Sequence, residues 1–276
     1  MRGTRPGNSW TIWQKFPIDV HALITDLIDF HTMLGMLEDA SPLEAFVFFL
    51  GANIVIFISS IVLCYWLGFQ FKGKRIFDRW EPLRPLEVGA ALGSIGLNAL
   101  ISILGWWLWK NGLIVIYSTS FYHSIWHCIA MTLFMDLGMY VFHRLAHSPV
   151  IFRLVHSFHH RHETTNPISL FVLHPAEVVG FGLLMIVYLL LFPIEITGLM
   201  GYLTLNVLWG TLGHSGVEPL PARFGTLPLL KLSGTSTFHA EHHEHPQYNF
   251  GFYTLIWDKL FGTLDPEYDK RFKQGG

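Results

Sequence analysis

The sequence predicts an all-α fold, a multi-pass bundle of transmembrane helices, and its composition and charge support this prediction. Apolar residues make up 51% of the 276 and charged residues only 14%, against about 25% charged residues in an average soluble domain. Charge is scarce in a chain that is largely immersed in lipid, because burying a charge in a bilayer is costly. The formal net charge of −2 is small and gives no indication of a nucleic-acid partner, so none is expected.

Long stretches without Asp, Glu, Lys or Arg indicate where the transmembrane helices lie. A helix needs about 20 apolar residues to cross a bilayer, and three runs are long enough: 45–71, 88–109 and 111–135. Two further runs, 178–194 and 196–217, follow each other closely and predict a helical hairpin that enters the membrane and returns to the same side. A soluble core accommodates one such run, but several in one chain favour a membrane protein.

Basic residues between the first two runs set the expected orientation. Five of them crowd this connection: Lys72, Lys74, Arg75, Arg79 and Arg84. Under the positive-inside rule the connection is cytoplasmic. The next two crossings and the returning hairpin then bring His143 and the later histidines to the cytoplasmic face.

Histidines are the most informative polar residues of this chain. Twelve of the 16 lie in the second half, and eight form three clusters: His143 and His147; His156, His159 and His160; His239, His242 and His243. Offsets of three and four residues place side chains on one face of a helix, so we expect each cluster to aim at one point. Eight imidazoles exceed the four that one tetrahedral ion takes. The count predicts two metal ions side by side.

Other candidate ligands fit this centre less well. Helical rise places His123 and His127 near the opposite membrane face, where we expect hydrogen-bonded intramembrane residues. His162 and His245 extend two of the clusters by two residues, which turns them away from the ligand face. Cys64 and Cys128 lie inside apolar runs and are expected to be small core residues rather than ligands or a disulfide.

Asp136 lies two helical turns before His143 and has two possible roles. It either accepts a proton from the second ring nitrogen of a ligand, which would fix the orientation of that imidazole, or it is a simple charge near a helix end. The sequence leaves both roles open.

The histidine motifs resemble those of the fatty acid hydroxylase and sterol desaturase superfamily of integral-membrane di-iron enzymes. The resemblance rests on H-x-x-x-H at 143–147 and on H-x-x-H-H at 156–160 and 239–243. Supporting matches are Asp136, Tyr140, Arg144, His174-Pro-Ala-Glu177, Gly213-His214-Ser-Gly216 and the segment from Asn249 to Thr263. The resemblance covers residues 85–268, the expected membrane catalytic domain. An N-terminal segment, 1–84, with the first span and the basic loop precedes it, and a polar tail, 269–276, follows.

The resemblance implies a set of metal ligands. The eight clustered histidines ligate the ions together with His214, which follows the hairpin. His174 is a further candidate, or else its His-Pro motif is structural. Where some relatives carry a second histidine four residues before the hairpin ligand, this chain has Gly210. The resulting open position is left to water, Asn206 or another histidine.

The fold expected from these observations is a multi-pass transmembrane helical bundle with a cytoplasmic histidine-rich di-metal cap. The resemblance implies two iron ions, for which zinc can substitute in purified protein, and O2 as co-substrate. It implies hydroxylation or desaturation of an unactivated C–H position in a lipid, either sterol-like or fatty acyl. The sequence leaves the choice between these outcomes open.

The same resemblance implies several partners. The lipid substrate enters from the bilayer, along a route that Trp106, Trp107, Trp109 and Phe181 could line. Electrons come from an external donor, cytochrome b5-like, a ferredoxin or a reductase, and basic residues such as Arg144, Arg153 and Arg161 could receive it. The expected location is a bacterial inner membrane, or the endoplasmic reticulum in a eukaryote.

A metal transporter or metal-binding membrane protein is the alternative hypothesis. Transport sites usually lie near the bilayer midplane on broken helices, whereas these histidines cluster outside the predicted spans. A membrane metalloprotease has less support, because the sequence contains no H-E-x-x-H motif.

Overall fold

The computed structural model of the protein describes residues 30–78, 80–118, 121–161 and 164–275. It divides the chain into two units, Met1–Asp39 and Ala40–Gly276. In the first unit the described element is helix α1 (Phe30–Asp39). The second unit contains all of the predicted spans and histidine clusters.

Helices make up nearly all of the regular structure in the second unit. They are α2 (Pro42–Gln70), α3 (Pro85–Lys110), α4 (Phe121–Ala146), α5 (Pro149–Leu154), α6 (Pro175–Leu191), α7 (Ile196–Gly213), α8 (Ser236–Glu244), α9 (Ile256–Phe261) and α10 (Tyr268–Gly275). Short 3₁₀ turns cover His156–Arg161, Ser169–Phe171, Ala222–Thr226 and Leu230–Leu232. Two strands of two residues each, β1 (Ile116–Tyr117) and β2 (Ile194–Glu195), complete the described elements. The predicted all-α class is confirmed.

Helices α2, α3 and α4 are long and apolar enough to cross a membrane. Large apolar side chains point outward along α2, where Val55 is 63% and Phe69 73% exposed, as a lipid-facing surface requires. The first two predicted runs agree with α2 and α3 to within a few residues. The start predicted for the third span is wrong. Asn111 caps α3, Gly112 adopts a positive φ of 72°, and α4 begins only at Phe121.

The predicted hairpin is formed by α6 and α7, and its turn is held by a feature that the sequence did not reveal. Strand β2 in this turn pairs in parallel with β1, with Ile194 opposite Ile116. Because α4 and α7 follow these two strands, both helices start from the same small sheet and pack against each other. The hairpin therefore extends beside α4 along its length and returns to the end that carries His143.

Close packing of α7 on α4 depends on Gly198. A Cβ atom at this position would lie 2.7 Å from the backbone oxygen of Ser124, a distance that real side chains do not tolerate. The Glu195 side chain, which is fully buried, accepts a hydrogen bond of 2.8 Å from the Gly198 N–H and so caps the start of α7. The hairpin helix is thereby fixed at both its start and its contact with α4.

The chain between and after these helices forms a cap at the end of the bundle opposite the β1–β2 sheet. The cap has its own apolar core, in which Phe238 of α8 packs with Leu255, Tyr268 and Phe272. The basic connection between α2 and α3 belongs to the same end, because Ile76 N–H donates to the Gly216 oxygen at 3.0 Å. This core holds α8 in place against the helices that carry the other histidines.

Candidate metal centre

Nine histidines converge in the cap and form two groups. Group one contains His143, His147, His156, His160 and His242; group two contains His159, His214, His239 and His243. Within each group the candidate ligand nitrogens lie within 4.8 Å of one another. Nitrogens that bind one ion at about 2.0–2.1 Å are at most about 4.2 Å apart. Each group is therefore close to the size that a single ion requires.

Both H-x-x-H-H motifs divide their histidines between the two groups, so the expectation that each cluster aims at one point is wrong for these two clusters and holds for His143 and His147, which share group one. In the first motif His156 and His160 join group one, whereas His159 joins group two. The second motif does the reverse, since only His242 joins group one. The first and fifth residues of a motif share a group, and the fourth turns to the other. Each motif thus links the two groups.

Imidazole nitrogens face one another inside each group. Nε2 of His143 lies 3.1 Å from Nε2 of His156, and Nε2 of His160 lies 3.1 Å from Nε2 of His242. The Nε2 atom of His147 is buried and has no hydrogen-bond partner among the described residues. Buried polar atoms are rarely left unsatisfied. The lone pairs that converge on group one fit a metal ion, which would satisfy them all.

Backbone carbonyl groups hold the outer nitrogen of several histidines. Nδ1 of His143 is 2.9 Å from the Phe250 oxygen, and Nδ1 of His242 is 2.6 Å from the Tyr248 oxygen. A carbonyl oxygen only accepts, so Nδ1 carries the proton in each case and Nε2 presents its lone pair to the group. In group two, Nδ1 of His159 is held in the same way, 3.2 Å from a carbonyl oxygen.

Two side chains also act as outer partners, and the sequence did not assign them this role. Ser169 Oγ lies 2.7 Å from Nδ1 of His214, and the Glu177 carboxylate accepts a hydrogen bond from Nδ1 of His156. Glu177 belongs to the His174-Pro-Ala-Glu177 motif, whose pattern indicates a helix start. Nothing in the spacing shows that its side chain reaches an imidazole 21 residues earlier.

Three of the converging histidines outside the spans, His147, His156 and His239, are neutral at pH 7. Burial, followed by the proximity of other imidazoles, lowers the pKa of His147 to about 2 and that of His239 to about 3. Burial alone lowers the pKa of His156 to about 4. Neutral imidazole is the form that binds a metal ion, so these side chains present ligand nitrogens without first losing a proton.

His174 does not join either group. It is the N-cap of α6, where its Nδ1 accepts a hydrogen bond of 3.2 Å from the Ala176 N–H. The reciprocal bond of the capping box runs from the His174 N–H to Glu177. The sequence left two roles open for His174, metal ligand or structural residue. In the structure His174 caps a helix, which is the structural role.

Asp136 takes neither of its two expected roles. It is fully buried within α4, and its carboxylate accepts hydrogen bonds from the N–H groups of Tyr253 and Thr254, the Thr254 hydroxyl and the Trp257 indole. The proposed contact with the second nitrogen of a ligand is therefore wrong. Asp136 anchors instead the segment that follows Phe250, whose carbonyl holds His143.

The open ligand position of group two is not filled by Asn206. Its Oδ1 accepts a hydrogen bond of 2.6 Å from the Tyr253 hydroxyl. The space at Gly210 is occupied as well, since a Cβ there would lie 2.7 Å from Leu170. Among the residues that the structure describes, group two therefore offers four imidazoles, against five in group one.

The remaining predicted residues lie away from the centre. His127 hydrogen-bonds the Tyr117 hydroxyl at 2.7 Å beside the β1–β2 sheet, which confirms that it is hydrogen-bonded, as expected. His245 lies 3.3 Å from the Arg271 side chain, and His162 lies outside the described residues. Cys64 and Cys128 are free thiols, as predicted.

These features define a class: a helical membrane protein with a histidine-rich centre that can hold metal. The sequence model of the fatty acid hydroxylase family matches residues 128–263, a segment that contains all nine converging histidines. This segment belongs to the fatty acid hydroxylase and sterol desaturase superfamily.

Curated relatives extend this finding. The chain is 29% identical over 196 residues to the Delta(7)-sterol 5(6)-desaturase ERG3 of Candida albicans, a match that covers 68% of this chain and 49% of that protein. It is 26% identical over 274 residues to the Delta(7)-sterol 5(6)-desaturase of Candida glabrata, covering 92% and 71%. It is 34% identical over 142 residues to Protein CER1-like 1 of Arabidopsis thaliana, covering 49% and 22%. The chain thus spans about half the length of the first of these relatives. No solved structure matches it.

Proposed function

We propose that the chain is a membrane-bound oxidoreductase that uses O2 to hydroxylate or desaturate an unactivated C–H position of a lipid. The observation that carries this proposal is the convergence of nine histidines in two ion-sized groups. The same histidines are the ligands that we propose for two iron ions. Imidazole suits iron as well as zinc, and the reaction with O2 requires a redox-active metal. When bound, the two ions supply the redox chemistry by which O2 oxidises the C–H bond.

The residues of this chain contribute orientation and shielding. Outer partners such as the Phe250 and Tyr248 carbonyls fix the tautomer and the direction of His143 and His242. His242 is fully buried, so bulk water does not compete for its ligand nitrogen. Phe181, one of the residues predicted to line a substrate route, packs 5.0 Å from the ring of Phe142, next to His143. This contact supports an approach of the lipid along α4 and α6.

The three tryptophans predicted for the same route lie elsewhere. Trp106, Trp107 and Trp109 belong to the last turn of α3, which ends just before β1. That end of the bundle is opposite the histidine groups, since α4 runs from β1 to His143. We therefore assign them to the far membrane boundary, where aromatic residues are common.

We also propose that the histidine groups lie on the cytoplasmic side. The basic connection between α2 and α3 supports this orientation, because Glu218 N–H donates to the Lys74 oxygen at 2.9 Å and ties the connection to the segment after His214. If the positive-inside rule places this connection in the cytoplasm, the histidine groups lie on the cytoplasmic side as well. An external electron donor would approach from this side, in a bacterial inner membrane or in the endoplasmic reticulum.

The substrate class is proposed from the relatives. Two of them carry the name of a sterol desaturase, which favours a sterol-like lipid over a fatty acyl chain. Because about half of the first relative has no counterpart here, the reaction must be measured on this chain itself.

The test combines metal analysis with lipid analysis. The purified protein should contain about two iron ions per chain, and cells that express it should accumulate a lipid heavier by one oxygen or lighter by two hydrogens. A His214→Ala variant produced at the same level serves as the control and should yield no product. Transport of metal ions into liposomes without any change in lipids would contradict the proposal and support the transporter hypothesis.

A further inference from the structure

Glu177 differs in charge from the other outer partners of the histidines. The imidazoles of His143, His242 and His159 donate to backbone carbonyl oxygens, and His214 faces the Ser169 hydroxyl. These partners are uncharged. The partner of His156 is a carboxylate.

The carboxylate is held in place on both of its oxygens. Glu177 is 1% exposed. Its Oε1 accepts from His156 Nδ1, and its Oε2 accepts a hydrogen bond of 3.0 Å from the His174 N–H. The second bond belongs to the capping box at the start of α6, where Pro175 occupies the first helical position. The rigid helix start thus fixes the position of the carboxylate relative to His156.

A carboxylate in this position changes the imidazole in two ways. It keeps the proton on Nδ1, so that Nε2, which lies 3.1 Å from Nε2 of His143, presents its lone pair to group one. It also makes the imidazole a stronger base and therefore a stronger ligand. A neutral acceptor also keeps the proton on Nδ1, but it raises the basicity of the imidazole less than a carboxylate does.

We propose that Glu177 is a positioning residue that strengthens the binding of the ion in group one by acting through His156. The inference rests on the proposed metal centre. The inference links the charge of Glu177 to the ion in group one. Loss of this charge should weaken the binding of that ion and leave the binding of the ion in group two unchanged.

The experiment measures the release of metal from the full-length protein in detergent micelles. The protein is loaded with cobalt(II), whose visible absorption reports coordination, and is then mixed with an excess of EDTA. In the Glu177→Gln variant one of the two ions should leave about 10- to 100-fold faster than in the wild type, and the other at the wild-type rate. Glu177→Asp, which restores the charge, should recover part of the difference.

Two matched variants separate the proposed role from simpler ones. Glu195→Gln changes another buried capping glutamate, at the far end of the hairpin, and should leave both release rates unchanged. Ser169→Ala removes the outer partner of His214 and should affect the ion that Glu177→Gln does not.

The outcomes distinguish this inference from the proposed metal centre. If the wild type binds no cobalt, the metal centre itself is wrong. If the wild type binds two ions and Glu177→Gln releases both at the wild-type rate, Glu177 has no such role. The inference is also overturned if both ions leave equally faster while the melting temperature falls, because Glu177 would then act only as a helix cap.

Discussion

The two histidine groups share both H-x-x-H-H motifs but differ in what completes them, His143 and His147 at the end of α4 for group one and His214 after α7 for group two. Group one has five imidazoles, and two of them are held by carbonyls of the segment around Phe250, which Asp136 and Asp258 anchor through its backbone N–H groups. Group two has four imidazoles and depends on His214, at the end of the hairpin helix α7. The pair of groups is therefore unequal in ligand number, and the loss of one ligand should have unequal consequences.

Removal of one imidazole from each group gives the largest expected effect. Four imidazoles complete the tetrahedral shell of zinc, so His147→Ala leaves group one with a full set, whereas His214→Ala leaves group two with three. Protein loaded with zinc and passed through a chelating column should keep about two ions in the wild type and in His147→Ala, but about one in His214→Ala. Mass spectrometry of the intact protein counts the ions. Equal loss in both variants would show that the groups do not differ as their ligand numbers predict.

Replacement of Asp136 tests how group one is supported. Asp136→Asn replaces one acceptor oxygen by an NH2 group, which can only donate. In one orientation this group faces the N–H groups of Tyr253 and Thr254; in the other it faces the Thr254 hydroxyl and the Trp257 indole. Hydrogen bonds to a charged group contribute about 1.5–3 kcal/mol each, so the free energy of unfolding should fall by about 2 kcal/mol or more. Thermal unfolding in detergent measures the change.

A neighbouring surface variant provides the control for Asp136→Asn. Lys259→Ala lies on the same segment but is exposed, and it should change the free energy of unfolding by less than about 0.5 kcal/mol. Release of the group-one ion should be faster in Asp136→Asn, because the segment that carries the Phe250 carbonyl then loses its hydrogen bonds at Tyr253 and Thr254 and is held by Asp258 alone. An unchanged melting temperature would mean that the segment is held by Asp258 alone.

The metal-free protein should lose stability as the pH falls. The pKa of His156 is about 4 and that of His239 about 3 in the folded state, against about 6.5 in an unfolded chain. Between these values the unfolded chain binds more protons, so the stabilisation is complete above about pH 6.5 and is lost as the pH falls toward 4 and then 3. Melting temperatures of metal-free protein between about pH 7.5 and 4.5 measure the loss.

Metal loading provides the comparison for the pH series. Bound zinc holds the imidazoles deprotonated, so the loaded protein should keep its melting temperature to a lower pH than the metal-free protein and then lose it as the ions are released. Identical pH profiles with and without zinc would show that these histidines do not bind the metal.

The sequence predicted those parts of the structure that depend on local pattern. Residues 45–71 and 88–109 agree with α2 and α3 because long apolar runs and helix starts with Pro and Glu are local signals. The start of the third span was predicted wrongly from the run 111–135, because apolar residues 113–117 form a loop and strand after Gly112. Composition does not distinguish such residues from a lipid-facing helix. Spacing alone could not reveal how each H-x-x-H-H motif divides its histidines between group one and group two. That division depends on where the motif lies relative to the two groups.

The outer partners were harder to predict than the histidines. The carbonyls of Phe250 and Tyr248 are backbone atoms, which carry no signature in the sequence. Glu177 had a signature, the third position of a capping box, but this indicates a helix start and not a contact with His156. Asp136 was singled out for its distance from His143 along the helix, yet its side chain contacts a segment more than 100 residues later. Such pairings are set by tertiary packing.

The smallest expected effect concerns His174, which lies next to the centre in sequence but in neither group. His174→Ala removes the side-chain acceptor that caps α6, and the loss of an N-cap costs about 0.5–2 kcal/mol. The melting temperature should fall slightly, whereas the protein should still bind about two ions. Glu177 keeps its bond to the backbone N–H of residue 174, so His156 should stay in position. If His174→Ala instead loses an ion at an unchanged melting temperature, His174 is a ligand after all, and the comparison of five ligands in group one with four in group two no longer holds.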